Sequence, residues 1–265
     1  MPEIDKTVGA ARKLLPMFYV IDVSGSMDGE KIASVNDAMR DIKNVLEDIE
    51  KSNADAEIRL AAMSFSTNAQ WLDVCKNGLV SPEDFWWSDV EAAGLTSLGS
   101  ALELLDEGLS SKTGFLKGDV GFNMPVVIFM SDGGPTDNWL HGFDIISQNN
   151  WYKYASKIAI AIGDDADLDV LTKLVGTKEA IIRVKDTETL KQLIKIVSAT
   201  ASKIGSKSRG NRNTDSTGTS SEIVKTTVTD MTSDDTSSNN QPVDLETFED
   251  ENTSSGEPFI IDDFE

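Results

Sequence analysis

FYVIDVSGSMDGEK, residues 18–31, runs four apolar side chains, Phe18, Tyr19, Val20 and Ile21, into Asp22, then sets Ser24 and Ser26 at alternate positions around Gly25. A strand covered on both faces reads as an unbroken apolar run, so this stretch is expected inside a parallel sheet. In open α/β sheets, ligands sit beyond the carboxyl ends of the strands, and Asp22 stands at such an end. The alternation lets its carboxylate and the two hydroxyls converge on one point, and Gly25 lets the backbone bend tightly. Hard oxygen donors without His or Cys suit Mg2+, Mn2+ or Ca2+ rather than zinc. The competing reading is local: Asp22 and Ser24 cap the helix beyond them.

The strand signal recurs in MFYVI (17–21), IRLAAMSF (58–65), PVVIFM (125–130), KIAIAI (157–162) and AIIRV (180–184). Helical patterns alternate with these runs. In KIASVNDAMRDIKNVLEDIEKS (31–52), Ile32, Val35, Met39, Ile42, Leu46 and Ile49 recur at steps of three and four. SLGSALELLDEGLS (97–110) and TETLKQLIKIVSATASKI (187–204) behave alike. This alternation predicts an α/β fold, a doubly wound and mostly parallel sheet flanked by helices. Residues 1–15 read as an N-terminal segment, 16–205 as the globular domain and 206–265 as a disordered, Ser/Thr-rich acidic tail. Trp86 and Trp87 are expected to pack into the core.

Two more oxygen sources fall where such a fold needs them. PVVIFMSDGGPTD (125–137) carries a second strand into Asp132, and GLTSLGSAL (94–102) offers Thr96 just before a helix. DVSGSM, GLTSLGSAL and FMSDGGPTD, in this order, resemble the three parts of the metal-ion-dependent adhesion site (MIDAS) of von Willebrand factor A (VWA) domains. The resemblance covers about residues 16–205. LPMFYVIDVSGSMDGEKIASVNDAM (15–39) and FMSDGGPTDNW (129–139) are similar to bacterial A-domain proteins of the tellurium-resistance, TerY-type group.

The resemblance implies a VWA, Rossmann-like fold. It implies that Ser24 and Ser26 hold Mg2+ (or Mn2+/Ca2+) directly, Thr96 directly or through water, and Asp22 and Asp132 through water and hydrogen bonds. With few direct anionic ligands the cation stays electrophilic and seeks a carboxylate from outside. The implied partner is a protein supplying an Asp or Glu. The tellurium-resistance group further implies a Ser/Thr kinase and a protein phosphatase as partners, and a scaffold role in stress response. The alternative is a metal-dependent, phosphatase-like hydrolase using Asp22 as nucleophile. That chemistry expects a second Asp where Ser24 stands, and a lysine near the site that the sequence does not assign.

The chain has 265 residues and a net charge of −21, which disfavours nucleic acid and anionic membranes as partners. Its single cysteine, Cys75, reads as a buried structural thiol. No targeting segment or apolar span is apparent, so a cytoplasmic location is expected. Residues 213–265 hold 14 acids and one base, Lys225. Two apolar islands interrupt this tail, VDLETF (243–248) and PFIIDDFE (258–265). In the second, Phe259, Ile260, Ile261, Asp262, Asp263 and Phe264 form a candidate docking motif. The Ser and Thr residues of 214–238 are candidate phosphorylation sites. His141 is expected in a solvent or packing role. Asp164, Asp165 and Asp167 read as a solvated loop with a helix cap at Asp167.

Overall fold

The computed structural model describes residues 12–53, 55–118, 121–207, 216–234 and 245–249. Its centre is β1 (Lys13–Asp22), buried from Leu15 onward. β1 pairs in parallel with β2 (Ala56–Phe65) on one side and β4 (Val126–Ser131) on the other. β4 continues in parallel to β5 (Ser156–Ile162), and β5 to β6 (Ile181–Val184). Every residue of β4 and β5 is buried, as their uninterrupted apolar sequences require. β1 begins at Lys13, so the domain starts within residues 1–15, which the sequence pattern alone assigns to a separate segment.

Short antiparallel strands finish both sides. β3 (Ala69–Trp71) pairs with β2, and β7 (Leu245–Thr247) pairs with β6. The seven-stranded order is β3-β2-β1-β4-β5-β6-β7. The chain reverses direction across the sheet between β1 and β4. A crevice opens there beyond the strand ends.

Helix α1 (Glu30–Ser52) buries Ile32, Val35, Met39, Ile42 and Leu46 of the expected stripe, with Ile49 half-buried at its end, and packs on α6 (Thr187–Lys207). Helices α2 (Leu98–Gly108) and α3 (Trp139–Ile146) cross so closely that a Cβ on Gly142 would lie 2.5 Å from the Gly99 carbonyl oxygen. The short α4 (Asn150–Tyr154) and α5 (Leu168–Val175) flank β5 in sequence.

The tail expectation needs correction in two places. Residues 216–234 form α7 (Ser216–Asp234), which buries Ile223, Val224 and Met231 along with Ser220 and Thr227. The Ser220 hydroxyl accepts a hydrogen bond from the Lys157 amide at 2.9 Å, at the start of β5. The sequence hid this helix because its large apolar residues are few, Ile223, Val224, Val228 and Met231 among a majority of Ser and Thr. Its many hydroxyls instead fold back on the preceding turn, as from Ser221 to the Thr217 carbonyl at 3.1 Å and Thr229 to that of Lys225 at 2.8 Å. The island VDLETF supplies β7. Glu246 there pairs with Lys185 at 2.9 Å and Arg183 at 3.1 Å. The proposed docking motif, Phe259–Phe264, lies outside the described residues.

Candidate metal centre

Asp22 ends β1 with no exposure to solvent. Its Oδ1 accepts from the Ser24 amide at 2.8 Å and its Oδ2 from the Ser131 hydroxyl at 2.7 Å. Burial pushes this carboxyl above its ordinary value, and the nearby Asp132 charge adds to the rise. The bonds from Ser131 and Ser24 oppose it.

From Ser24 a file of oxygens leads across the crevice. Ser24 Oγ lies 3.1 Å from Ser26 Oγ, and Ser26 donates to Asp132 Oδ1 at 2.8 Å. Ser24 and Asp132 are buried, whereas Ser26 is exposed at the mouth. Asp132 Oδ2 receives the Lys31 ammonium at 2.5 Å. Lys31 also donates to the Ser26 carbonyl at 3.3 Å.

Thr96 joins through its backbone. Its amide donates to Thr136 Oγ1 at 3.1 Å, and its carbonyl accepts from the Thr136 amide at 2.9 Å. Its residue is buried. Gly94 tethers the same loop to the first, because the Gly25 amide donates to its carbonyl at 3.1 Å. Gly94 has a positive φ of 85°, and a Cβ there would sit 2.4 Å from Thr67 Oγ1, so this turn requires glycine. The loops after β1, before α2 and after β4 are therefore stitched pairwise into one floor. Helix α2 is held from the third loop too, with Asp137 Oδ2 accepting from the Gly99 amide at 2.9 Å.

All five sequence-derived positions, Asp22, Ser24, Ser26, Thr96 and Asp132, lie on these linked loops. The residues that sequence reasoning missed are Ser131, Thr136 and Lys31. Ser131 and Thr136 are neighbours of expected positions and carry no signal of their own. Lys31 had one, since a cation in the first turn of α1 opposes the helix dipole and calls for a nearby acid.

The donor set fits a small, hard dication. Among the described residues no group of three or more His, Cys, Asp or Glu could hold a metal. Neighbouring ligands of an octahedral ion at about 2.0–2.1 Å stand about 2.9 Å apart. The 3.1 Å between Ser24 Oγ and Ser26 Oγ is close to that edge, and Asp132 stands one hydrogen bond behind Ser26 at 2.8 Å.

Other candidates take structural roles. Asp167 caps α5, accepting from the amides of Asp169 and Val170. Asp164 pairs with Lys185 at 3.2 Å. His141 is exposed on α3. Cys75 is buried, and burial pushes its thiol up to about 11. Trp86 departs from the expected core role. It is 53% exposed on the wall of a cleft of about 400 Å3 that Val23, Ser66, Trp71, Glu91 and Ala93 also line. Trp87 is half-buried and donates to Asn36 Oδ1 at 2.9 Å.

No protein-family model and no curated protein matches the chain. Solved structures do match. A von Willebrand factor type A protein from Catenulispora acidiphila superposes with a TM-score of 0.53 at 16% identity, over 71% of this chain and 43% of its own. Proximal thread matrix protein 1 from the mussel byssus gives 0.52 at 18% identity, over 71% and 48%. A form of that byssus protein with a zinc-occupied MIDAS motif gives 0.50 at 17%, over 72% and 46%. This chain thus spans less than half the length of these neighbours, and it has the fold of a VWA domain.

Proposed function

We propose that this chain is a metal-dependent protein-interaction module. Ser24, Ser26 and Thr96 would hold a divalent cation, Mg2+ before Mn2+ or Ca2+, with Asp22 and Asp132 behind them through water. The cation supplies an electrophilic position for a carboxylate from outside. The observation that carries this reading is the convergence of hydroxyls and carboxylates from separate loops at the sheet's reversal point, with Ser24 Oγ and Ser26 Oγ close to octahedral-edge spacing. The byssus neighbour with a metal in its MIDAS motif supports it.

The chain's own residues have separable tasks. Ser131 and the Ser24 amide fix the Asp22 carboxylate, so its position does not depend on the metal. Ser26, exposed at the mouth, faces the partner. The partner class is an acidic protein segment. The finer reading rests on sequence resemblance: a cytoplasmic scaffold for a Ser/Thr kinase and a protein phosphatase in a tellurium-resistance-like stress response.

One observation favours the hydrolase alternative. Lys31 provides the lysine that chemistry asks for, 2.5 Å from Asp132. Asp22, however, is fully buried with both oxygens engaged, which is unsuited to a nucleophile that must reach phosphorus. We therefore favour binding over catalysis.

Calorimetric titration of the chain with Mg2+ and Mn2+ tests the reading. About one site should appear, and Ser24→Ala should weaken it strongly. A pull-down with and without EDTA then tests the partner step. Unchanged binding in Ser24→Ala together with Asp132→Ala would remove the proposal.

A further inference from the structure

We propose that Lys31 is a resident cation that competes with the divalent ion for Asp132 and thereby sets the affinity of the site. The inference rests on the metal-centre reading of the proposed function. It concerns a residue that the five-position pattern does not contain.

The Asp132 side chain has no exposure, whereas that of Lys31 keeps 32%. The ammonium therefore stands on the solvent side of a buried carboxylate. It also reaches the carbonyl of Ser26, whose hydroxyl belongs to the candidate ligand set. Its stem runs over Gly163 at the end of β5, with Cε and Nζ each 3.8 Å from where a Cβ on that residue would sit. Gly163 has a positive φ of 81°, so the bed for the lysine is bare backbone. Lys31 lies in the first turn of α1, where the helix dipole repels a cation. Its conformation is thus held by Asp132 and Ser26 rather than by its own helix.

The balance of charge sets the competition. Two buried carboxylates, Asp22 and Asp132, back the site. With the ammonium in place, Oδ2 of Asp132 is already neutralised. An arriving dication meets a like charge a few ångströms away, in surroundings that screen poorly. The ammonium must swing outward, which its flexible stem and partial exposure permit. Affinity is then lower than the ligands alone would give, by the strength of the pair that is broken.

The test is calorimetric titration of the full chain with Mn2+ and Mg2+, comparing wild type, Lys31→Met, Lys31→Gln and Lys31→Arg. Removing the charge should tighten binding at least about tenfold, equivalent to about 1.4 kcal/mol. Lys31→Arg, which keeps the charge, should stay near wild type. A thermal readout separates competition from a merely structural role. In EDTA, Lys31→Met should melt below wild type, because Asp132 loses its partner. On adding Mn2+ its midpoint should rise more than that of wild type. Equal or weaker metal binding in both neutral variants overturns this proposal and leaves the metal centre standing. Absence of binding in all four proteins overturns both.

Discussion

Asp22 illustrates how one side chain organises a site. Its carboxylate satisfies two donors that burial would otherwise strand, the Ser24 amide and the Ser131 hydroxyl. Asp22→Ala should therefore cost stability as well as metal, at about 1–3 kcal/mol per orphaned donor. Urea unfolding in EDTA reads the first loss and calorimetry the second. Lys157 presents the opposite case, a buried charge with no acid paired to it among the described residues. Its Nζ donates to the carbonyls of Tyr152 and Ala155 at 3.1 Å and 3.3 Å and lies 5.0 Å from the Tyr152 ring centroid. Burial pulls its ammonium down to about 8. The folded state then binds fewer protons than the unfolded state between about pH 8 and 10.4, so stability should rise with pH across that window. The rise is bounded at about 3 kcal/mol, because the two carbonyls and the ring favour the charged form. Denaturant midpoints of wild type against Lys157→Met, from pH 7 to 10.5, should converge as pH increases.

Elements were legible to the degree that their sequences are periodic. The apolar runs at 17–21, 58–65, 125–130, 157–162 and 180–184 all became strands, because a parallel strand buried on both faces has no polar side to blur it. Asp22 and Asp132 could be placed at strand ends for the same reason. What sequence did not reveal depends on contacts between distant segments. Asn36, midway along α1, is buried. It accepts from the Trp87 indole at 2.9 Å and the Val90 amide at 3.0 Å, and donates to the Val90 carbonyl at 2.9 Å. It pins the loop containing Trp86, and nothing in its spacing foretells that. Asn36→Leu should leave that half-buried indole and amide without partners, costing about 1–3 kcal/mol. Faster hydrogen exchange over residues 86–93 would locate the loss. The α2–α3 crossing is a matter of clearance: Gly142→Ala must push α3 away from the Gly99 carbonyl, at about 1–3 kcal/mol. Because the Thr96 loop leads into α2, divalent affinity should fall alongside the thermal midpoint.

At the scale of the whole molecule, the segment that composition marked as structureless supplies part of the core. Low apolar content is a sound argument against an independent domain, but it says little about a helix that borrows a surface already built. Three apolar residues of α7, Ile223, Val224 and Met231, are buried against the domain. Truncation after residue 207 should lower stability by at least about 2 kcal/mol, net of the entropy regained. For a domain of this size that is a fall of at least about 4 °C in thermal midpoint. A midpoint unchanged by truncation would show α7 to be ornamental. The same packing bears on modification, since Ser220 and Thr227 are buried in α7 and a kinase would need the helix to lift first. β7 carries a different consequence, one of timing. It closes the exposed side of β6, yet roughly 60 residues separate the two strands, and translation proceeds at about 5–20 residues per second. For about 3–12 s, each nascent chain holds β6 complete on the ribosome with an unsatisfied row of amides and carbonyls. Chains on neighbouring ribosomes of one message carry the same open edge, so the few residues of β7 leave the first seconds unguarded and protect the protein only once they are made.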